Sequence, residues 1–260
     1  MDKETSLGAF RAVMTLALIC SLLVAGAAVG LRPRQEANRK LDQKKNILRA
    51  ADLYQGQGDV EELFQQVEAR IIRLADGSFV PTEELDPRSF DQLQAARQAG
   101  TGRALDKEID IAGLTFQENY SLVYLVHKGG KRGQLDTIIL PVRGKGLWST
   151  MYGYVALSAD LNTISGITFY EHGETPGLGG EIDNPDWRAG WSGKQLYNQD
   201  NQNGQPRIQV VKGQGQGPHQ VDGVSGATLT MNGVTNLLTF WFGEHGFGPF
   251  LQRYKESGKK

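Results

Sequence analysis

An apolar run near the amino terminus constrains the fold of this chain more than any other feature. No charged side chain occurs from Ala12 to Leu31, and a helix of about 20 apolar residues spans the hydrocarbon core of a bilayer. A signal peptide cleaved near residues 25–28 is the alternative, but the apolar run continues past those small residues. A lipoprotein anchor at Cys20 would need a small residue where Ile19 stands. We therefore predict a single membrane anchor.

The charges that flank the run leave its orientation open. Residues 32–45 carry more Lys and Arg than the residues before the run, and the positive-inside rule would then place the large domain in the cytoplasm. Long folded domains are translocated largely regardless of charge, so the rule loses force here. Both orientations remain compatible with the charge pattern.

The overall composition is that of an ordinary folded protein. The 260 residues carry a net charge of -1 and are 39% hydrophobic. A charge so close to zero argues against nucleic acid as a partner, because proteins that follow phosphate backbones cluster Lys and Arg. The single cysteine excludes an internal disulfide, and the four histidines lack the spacing of metal ligands. The composition thus predicts no metal site.

Helical spacing continues for some distance beyond the anchor. Residues 59–75 place apolar side chains along one helical face, at Val60, Leu63, Val67, Ile71 and Leu74. This spacing predicts a helix. Residues 76–108 are polar and rich in turn formers, which predicts a surface insertion with a short helix near Gln92.

From residue 109 onward the pattern becomes that of strands. Runs rich in β-branched and aromatic residues occur at 120–128, 135–143, 152–160, 164–172 and 207–213, separated by Gly, Asp and Asn. Residues 228–242 and 248–257 return to helical patterns. We therefore predict an α+β fold, in which a single N-terminal transmembrane helix is followed by an antiparallel-sheet domain with flanking helices.

One segment, VDGVSGATLTMNGV at 221–234, concentrates glycines and hydroxyl side chains directly before a helical pattern. A glycine turn that leads into a helix lets the backbone approach an anion, and the helix dipole favours negative charge there. Asp222 is unfavourable beside a bare phosphate but can act as a ligand or recognition group. The simpler interpretation is that Ser225 and Thr228 cap the helix and that the glycines only form the turn.

Three motifs resemble those of proteins that carry covalent FMN. Residues 222–228, DGVSGAT, match the signature D-x-x-[ST]-G-A-[TS] at every fixed position. Residues 172–182, HGETPGLGGEI, and residues 144–157, GKGLWSTMYGYVAL, resemble two further motifs of that family. In this family a flavin transferase uses FAD to join FMN, through its phosphate, to the hydroxyl of the last signature residue. The resemblance implies that Thr228 is this residue.

From end to end the chain is similar to the C subunits of Na+-translocating NADH:quinone oxidoreductases. The resemblance implies a bacterial inner-membrane protein whose large domain lies on the periplasmic side. It implies an electron relay from an iron centre in the membrane to the FMN of the B subunit, with no catalytic residue of its own. The implied partners are the A, B, D, E and F subunits, especially B, D and E, and the flavin transferase during maturation.

The anchor, the periodicity and this resemblance together divide the chain into four segments. Residues 1–11 are expected to form a cytoplasmic N-terminus and residues 12–31 the transmembrane helix. Residues 32–108 are expected to form a helical membrane-proximal segment with an insertion, and residues 109–260 the FMN-binding domain.

The motifs nominate residues that contact the flavin. Gly177 and Gly179 let the backbone around Leu178 approach the ring, whereas Trp148 either stacks on the ring or fills the core. The signature adds five candidates: Asp222, Ser225, Gly226, Ala227 and Thr228.

Polar residues of the other two motifs complete the set of candidates. Glu174 and Thr175 are candidate hydrogen-bond partners of the ring edge, and a solvated carboxylate is the alternative for Glu174. Lys145 is a candidate for neutralising phosphate charge, although most lysines in loops are simply solvated. His172 is predicted to be structural rather than a proton donor.

Other functions are compatible with the same residues. An anchored binding protein without flavin would use residues 225–228 only as a turn before the helix. A hydrolase with Ser225 or Thr228 as nucleophile would need a base, and only His219 is near in sequence, in no order that resembles a known triad. The flavoprotein subunit of Rnf-type complexes shares the flavin chemistry but lacks much of the segment 33–108.

Overall fold

A computed structural model describes residues 6–128, 134–198 and 204–257. In this part of the chain the helices are α1 (Ser6–Ala50), α2 (Val60–Phe64), α3 (Gln92–Arg97), α4 (Pro185–Ala189), α5 (Thr228–Phe242) and α6 (Gly248–Ser257), with a 3-10 helix at Gly179–Asp183. The strands are β1 (Val67–Arg73), β2 (Phe79–Val80), β3 (Gly102–Ala104), β4 (Phe116–Glu118), β5 (Tyr120–Lys128), β6 (Gln134–Lys145), β7 (Thr150–Ser158), β8 (Ile164–Glu171), β9 (Gln209–Val211) and β10 (Gln220–Asp222). The chain divides into two compact units between Gln43 and Lys44.

The first unit consists of most of helix α1. An 18-residue window of this helix has a mean hydropathy of 2.4. Among the described residues, α1 is the one helix long and apolar enough to cross a membrane. Its large apolar side chains are exposed, Leu22 and Leu23 among them, as expected for a helix that lipid would cover.

The second unit is built on a six-stranded antiparallel sheet with the order β2-β1-β5-β6-β7-β8. The strands predicted at 120–128, 135–143, 152–160 and 164–172 are confirmed as β5 to β8. Strand β9 lies within the predicted run 207–213 and pairs in parallel with β10. Helices α3, α5 and α6 lie where helical patterns were predicted.

The helix predicted at 59–75 is wrong beyond its first turn. Helix α2 ends at Phe64, and the next apolar residues form β1, which pairs with β5 along its whole length. Ile71 and Ile72 are both fully buried, although neighbouring residues of a strand point to opposite faces. Since both faces of the sheet are covered, the alternating pattern that marks a strand is absent from this sequence.

The predicted boundary between residues 108 and 109 is corrected by the same finding. Strands β1 and β2 precede that boundary, yet they belong to the same sheet as β5 to β8. The compact unit that contains the sheet begins at Lys44. The segment 32–108 therefore contributes to the folded domain and is only partly helical.

Helix α5 covers one face of the sheet, against β6. Gly144 leaves room for Leu237, since a Cβ at this glycine would lie 2.5 Å from the Leu237 Cβ. The indole N–H of Trp241 donates to the Arg143 carbonyl oxygen at 2.7 Å. These contacts hold the second half of α5 against the end of β6.

The opposite face meets the carboxyl-terminal end of α1. The Thr168 hydroxyl donates to the Asn46 carbonyl oxygen at 3.3 Å, and Ile47 and Leu48 are buried. Gly166 lies so close to the Ala50 carbonyl group that a side chain there would clash with it. The sheet is thus enclosed by helices on both faces.

Candidate functional site

Helix α5 begins at Thr228, as the sequence predicts. Its N-cap residue is Ala227, and no side chain caps the helix. The interpretation that Ser225 and Thr228 are capping residues is therefore wrong. Both side chains are exposed, and neither has a hydrogen-bond partner among the residues that the structure describes. The free N–H groups of the first turn and the positive end of the helix dipole remain available to an external anion.

The turn before the helix lies directly against the loop that contains Leu178. Gly226 has a φ of +77°, a conformation that glycine adopts without strain. A Cβ at Gly226 would lie 2.9 Å from the Leu178 Cδ2. Two of the three motifs found in the sequence therefore meet at this contact.

Glu174 joins two of the motifs to the first turn of α5. Its side chain is buried, with the residue only 5% exposed, and its carboxylate accepts four hydrogen bonds. The donors are the N–H groups of Leu147 at 3.2 Å, Trp148 at 2.9 Å and Ser149 at 3.2 Å, and the Thr230 hydroxyl at 2.5 Å. One carboxylate thus holds the β6–β7 turn and the first turn of α5 against its own loop.

The close fit around this carboxylate depends on two glycines. A Cβ at Gly146 would lie 2.5 Å from one Glu174 carboxylate oxygen, and a Cβ at Gly179 would lie 2.9 Å from the other. The alternative that Glu174 is a solvated carboxylate is wrong. A carboxylate has about four acceptor positions, and four donors already bind Glu174, so the structure favours a positioning role over a contact with the ring edge.

The charge of Glu174 is stabilised by these donors. Burial would raise the pKa of its carboxyl group, but the hydrogen bonds from Thr230 and from the N–H groups of the β6–β7 turn outweigh burial and hold the pKa below its usual value. Because the folded-state pKa is depressed, the carboxylate stabilises the fold above the ordinary pKa of about 4.3. That contribution is lost as the pH falls through the lower, folded-state pKa.

We therefore expect the wild type and Glu174→Gln to converge in stability as the solution is acidified. The free energy of unfolding of both proteins, measured by urea denaturation between pH 7 and pH 3, checks this expectation. The gap between them should be widest near neutral pH and shrink below a pH of about 4. A gap that stays constant across this range would contradict the assignment.

Exposed apolar side chains surround the start of α5. Trp148 is 66% exposed, so the alternative that it fills the core is wrong. Four exposed apolar residues lie on the β6–β7 turn, on the Glu174 loop and at the start of α5, and we call them the apolar rim: Leu147, Trp148, Leu178 and Leu229. Leu229 is 60% exposed although it follows Thr228 in the helix. Exposed apolar patches on soluble domains commonly mark binding surfaces.

Lys145 lies on the same turn as Trp148. Its backbone N–H donates to the Ala112 carbonyl oxygen at 2.7 Å. Its ammonium group is exposed and donates to the Trp148 carbonyl oxygen at 3.4 Å. The lysine therefore steadies the β6–β7 turn, and a role toward a phosphate stays a prediction.

Asp222 ends β10 and closes a loop of its own. Its carboxylate accepts the Gly215 N–H at 2.8 Å, and its carbonyl oxygen accepts the indole N–H of Trp187 at 2.8 Å. These bonds tie Asp222 to the loop at Gly215 and to Trp187 of α4. A direct role toward a ligand stays a prediction.

The loop around Gly177 is a tight turn. The Thr175 carbonyl oxygen accepts the N–H groups of Leu178 and Gly180, at 3.1 and 2.9 Å. Gly177 has a φ of +75°. The Thr175 side chain is exposed, so its hydroxyl remains available to a ligand.

His172, the first residue of one motif, and His219, three residues before another, are engaged in structural contacts. His172 accepts the Glu174 N–H through Nδ1 at 3.1 Å and contacts the Asp183 carboxylate through Nε2 at 2.8 Å, as expected for a structural residue. His219 Nδ1 is hydrogen-bonded to the Gln195 carbonyl oxygen at 2.8 Å. Within the described chain, His219 makes no hydrogen bond to Ser225 or Thr228, which counts against a hydrolase.

Sequence reasoning missed several residues of this site: Gly146, Leu147, Ser149, Leu229, Thr230 and Gly233. Gly233 carried a usable signal, because a glycine inside a helix often marks a close packing contact. A side chain there would clash with the Lys145 carbonyl oxygen. Thr230 carried none, since its bond to Glu174 spans 56 residues of sequence.

Comparisons with known proteins agree with one another. A family model described as the FMN-binding domain matches residues 146–242, which include the β6–β7 turn, the Glu174 loop and α5. The chain is 49% identical to the C subunit of the Na(+)-translocating NADH-quinone reductase of Yersinia pestis, over 95% of this chain and 92% of the relative. The corresponding protein of Pseudomonas aeruginosa is 44% identical over 98% of both chains. The crystal structure of Shewanella oneidensis NqrC is 38% identical, with a TM-score of 0.76, and the match covers 84% of this chain and 99% of that one.

Proposed function

Since the chain belongs to the family of C subunits of Na+-translocating NADH-quinone reductases, we propose that it carries covalent FMN and relays electrons within that complex. It is one component of an oxidoreductase complex and contains an FMN-binding domain. The observation that carries the proposal is the start of α5. Thr228 is the last residue of the match to the FMN signature and the first residue of this helix, whose N-terminus is uncapped. Its hydroxyl is exposed and has no hydrogen-bond partner in the described chain.

The residues at this position fit a phosphoester-linked flavin. Thr228 supplies the hydroxyl for the bond to phosphate, and the free N–H groups of the first helical turn favour the phosphate charge. Trp148, Leu178 and Leu229 supply apolar surface for a flat aromatic ring. Gly226 keeps the approach to Thr228 clear, because a larger residue would meet Leu178.

Bound FMN would supply the electron-accepting and electron-donating chemistry, which the side chains here cannot provide. The chain's own residues attach it, orient it and limit its contact with water. Glu174 keeps the β6–β7 turn and the first turn of α5 in register, so that Trp148 and Thr228 stay in place. A covalent link suits a relay of this kind, because a carrier that exchanged its flavin would interrupt the chain of transfers.

The proposed relay runs between two partners of the complex. Electrons would come from an iron centre held by the membrane-embedded subunits, with D and E nearest, and would pass to the FMN of the B subunit. Helix α1 would anchor the chain in the bacterial inner membrane, with the large domain on the periplasmic side. Its length, its hydropathy and its exposed apolar side chains support the anchor; the periplasmic side rests on the family resemblance.

The covalent link is tested by flavin fluorescence on a denaturing gel, with protein co-expressed with a flavin transferase. The wild-type band should fluoresce, Thr228→Ser should keep the fluorescence because it keeps a hydroxyl, and Thr228→Val should lose it. Thr82→Val is the matched control, since Thr82 is also an exposed threonine but lies outside the three motifs. A fluorescent Thr228→Val band would contradict the proposal.

A further inference from the structure

A second site lies outside the flavin motifs, in a cavity of about 670 Å³. Its walls come from the end of α1, the loop that follows, β8 and α4. Asp52, with a φ of +57°, and Gly56, with a φ of +94°, shape the loop. Gly166, which lies close against the Ala50 carbonyl group, also lines the cavity.

The first unusual group in this cavity is Ser165. The pairing of β7 with β8 shifts there: Ala156 is opposite Gly166, and Leu157 is opposite Ile164. Ser165 is therefore the extra residue of a β-bulge, a feature that re-aims a side chain and is frequent beside binding sites. Its buried hydroxyl has no hydrogen-bond partner among the described residues, an arrangement that is costly without an acceptor.

The second unusual group is Arg188, on α4. Its buried Nε atom has no hydrogen-bond partner in the described part of the chain. Burial lowers the pKa of its guanidinium, the charge of Asp183 opposes this, and the positive charge of Arg49 lowers the pKa further. An arginine stays charged despite such a shift. Arg49 also lines this cavity; it is exposed, and its guanidinium donates to the Asn46 side-chain oxygen at 3.5 Å. Arg188 has no carboxylate within ion-pair distance among the described residues.

The remaining charges near the cavity do not neutralise this pair. Asp52 is the one acidic residue among the described residues that line it, so its single negative charge offsets only one of the two arginines. Asp183 does not line the cavity and is bound to His172 at 2.8 Å. The lining therefore keeps an excess of positive charge.

We propose that this cavity binds a phosphate group, either as free inorganic phosphate or as a phosphate ester. Arg49 and Arg188 provide several N–H donors, and Ser165 adds a hydroxyl. A phosphate or a phosphate monoester has three or more free oxygens that accept such bonds, and guanidinium–phosphate bonds are among the stronger hydrogen bonds in proteins. This site is independent of the flavin and of its attachment at Thr228.

Isothermal titration calorimetry with inorganic phosphate tests the proposal on the full-length, flavin-carrying chain in detergent. Phosphate should bind saturably at one site, whereas sodium chloride at the same ionic strength should give no saturable heat. Arg188→Gln and Arg49→Gln should each weaken binding by roughly tenfold or more, because each removes charge-assisted bonds. Ser165→Ala should weaken it by a smaller factor, about threefold.

Two further arms complete the experiment. Arg207→Gln is the control variant, since Arg207 is exposed and does not line the cavity; it should bind like the wild type. Covalent flavin content and the melting temperature without phosphate show whether each variant is folded. If Arg188→Gln is not folded, Arg188→Lys is measured in its place.

Competition with dihexanoyl-phosphatidic acid, a phosphate monoester with three free oxygens, below its micelle concentration identifies the source of the phosphate. Displacement of phosphate by this lipid would support the site and identify a lipid headgroup as a ligand. Binding of inorganic phosphate alone would support the site and identify free phosphate. Absence of saturable binding by either probe, or undiminished binding in folded Arg188→Gln and Arg49→Gln, would overturn the proposal.

Discussion

Replacing Glu174 by Gln is expected to destabilise the folded domain by about 3 kcal/mol, because an amide cannot serve the four donors around it. The change conserves volume, but it removes the charge and turns an NH₂ group toward N–H and O–H donors. Those donors, Thr230 among them, are held within 3.2 Å of the carboxylate. Urea denaturation of the full chain in detergent at neutral pH, compared with the wild type, measures the loss.

Thr230→Val is the matched control for this effect. It removes only one of the four donors and should cost about 1 kcal/mol. The double variant should lose less than the sum of the two single variants, because both changes break the same bond. Covalent flavin yield should fall further in Glu174→Gln than in Thr230→Val, because the bonds to the β6–β7 turn are lost only in the former. Equal destabilisation by both single changes would contradict the role given to Glu174.

Arg143→Met is expected to destabilise the domain by about 3–5 kcal/mol, since it leaves a buried carboxylate without its cation. Glu118 is fully buried and accepts two bonds from Arg143, at 2.9 and 2.6 Å. The same guanidinium lies 5.3 Å from the ring centre of Trp241. The free energy of unfolding from urea denaturation measures the loss.

Two comparisons separate this effect from a general loss of ion pairing. Combining Arg143→Met with Glu118→Leu should recover most of the stability, because no uncompensated charge then remains buried. Glu61→Gln breaks the more exposed pair with Lys44 and should cost less than about 1 kcal/mol. A double variant as unstable as the two single variants combined would show that the buried charge is not the cause.

Much of the sheet could be predicted from local sequence. Strands β5 to β8 are long runs of β-branched and aromatic residues, and each ends at turn-forming residues. Strand β1 could not be predicted this way, because Ile71 and Ile72 are buried on opposite faces and remove the alternation. Apolar residues at 60, 63, 67, 71 and 74 have helical spacing, so the sequence predicted a helix where the chain forms β1. Only the pairing with β5, about 50 residues away, decides the conformation there.

The site shows the same division between local and distant information. The start of α5 at Thr228 follows from a local pattern of glycines before a helical run. The role of Glu174 could not follow from any local pattern, since its donors lie 25 to 56 residues away in sequence. Trp148 was undecided for the same reason: its exposure depends on how the β6–β7 turn meets the Glu174 loop. Motif similarity identified these residues, but only their contacts in the fold show which role each one has.

The most direct measurement is the intact mass of the denatured protein, purified from cells that contain the flavin transferase, followed by tandem fragmentation. The wild type should carry the mass of FMN minus water, and the fragments should place this addition on Thr228. Thr228→Val should have its unmodified mass. An unmodified wild type, or an addition on any other residue, would contradict the attachment of FMN to Thr228 and favour an anchored binding protein without covalent flavin.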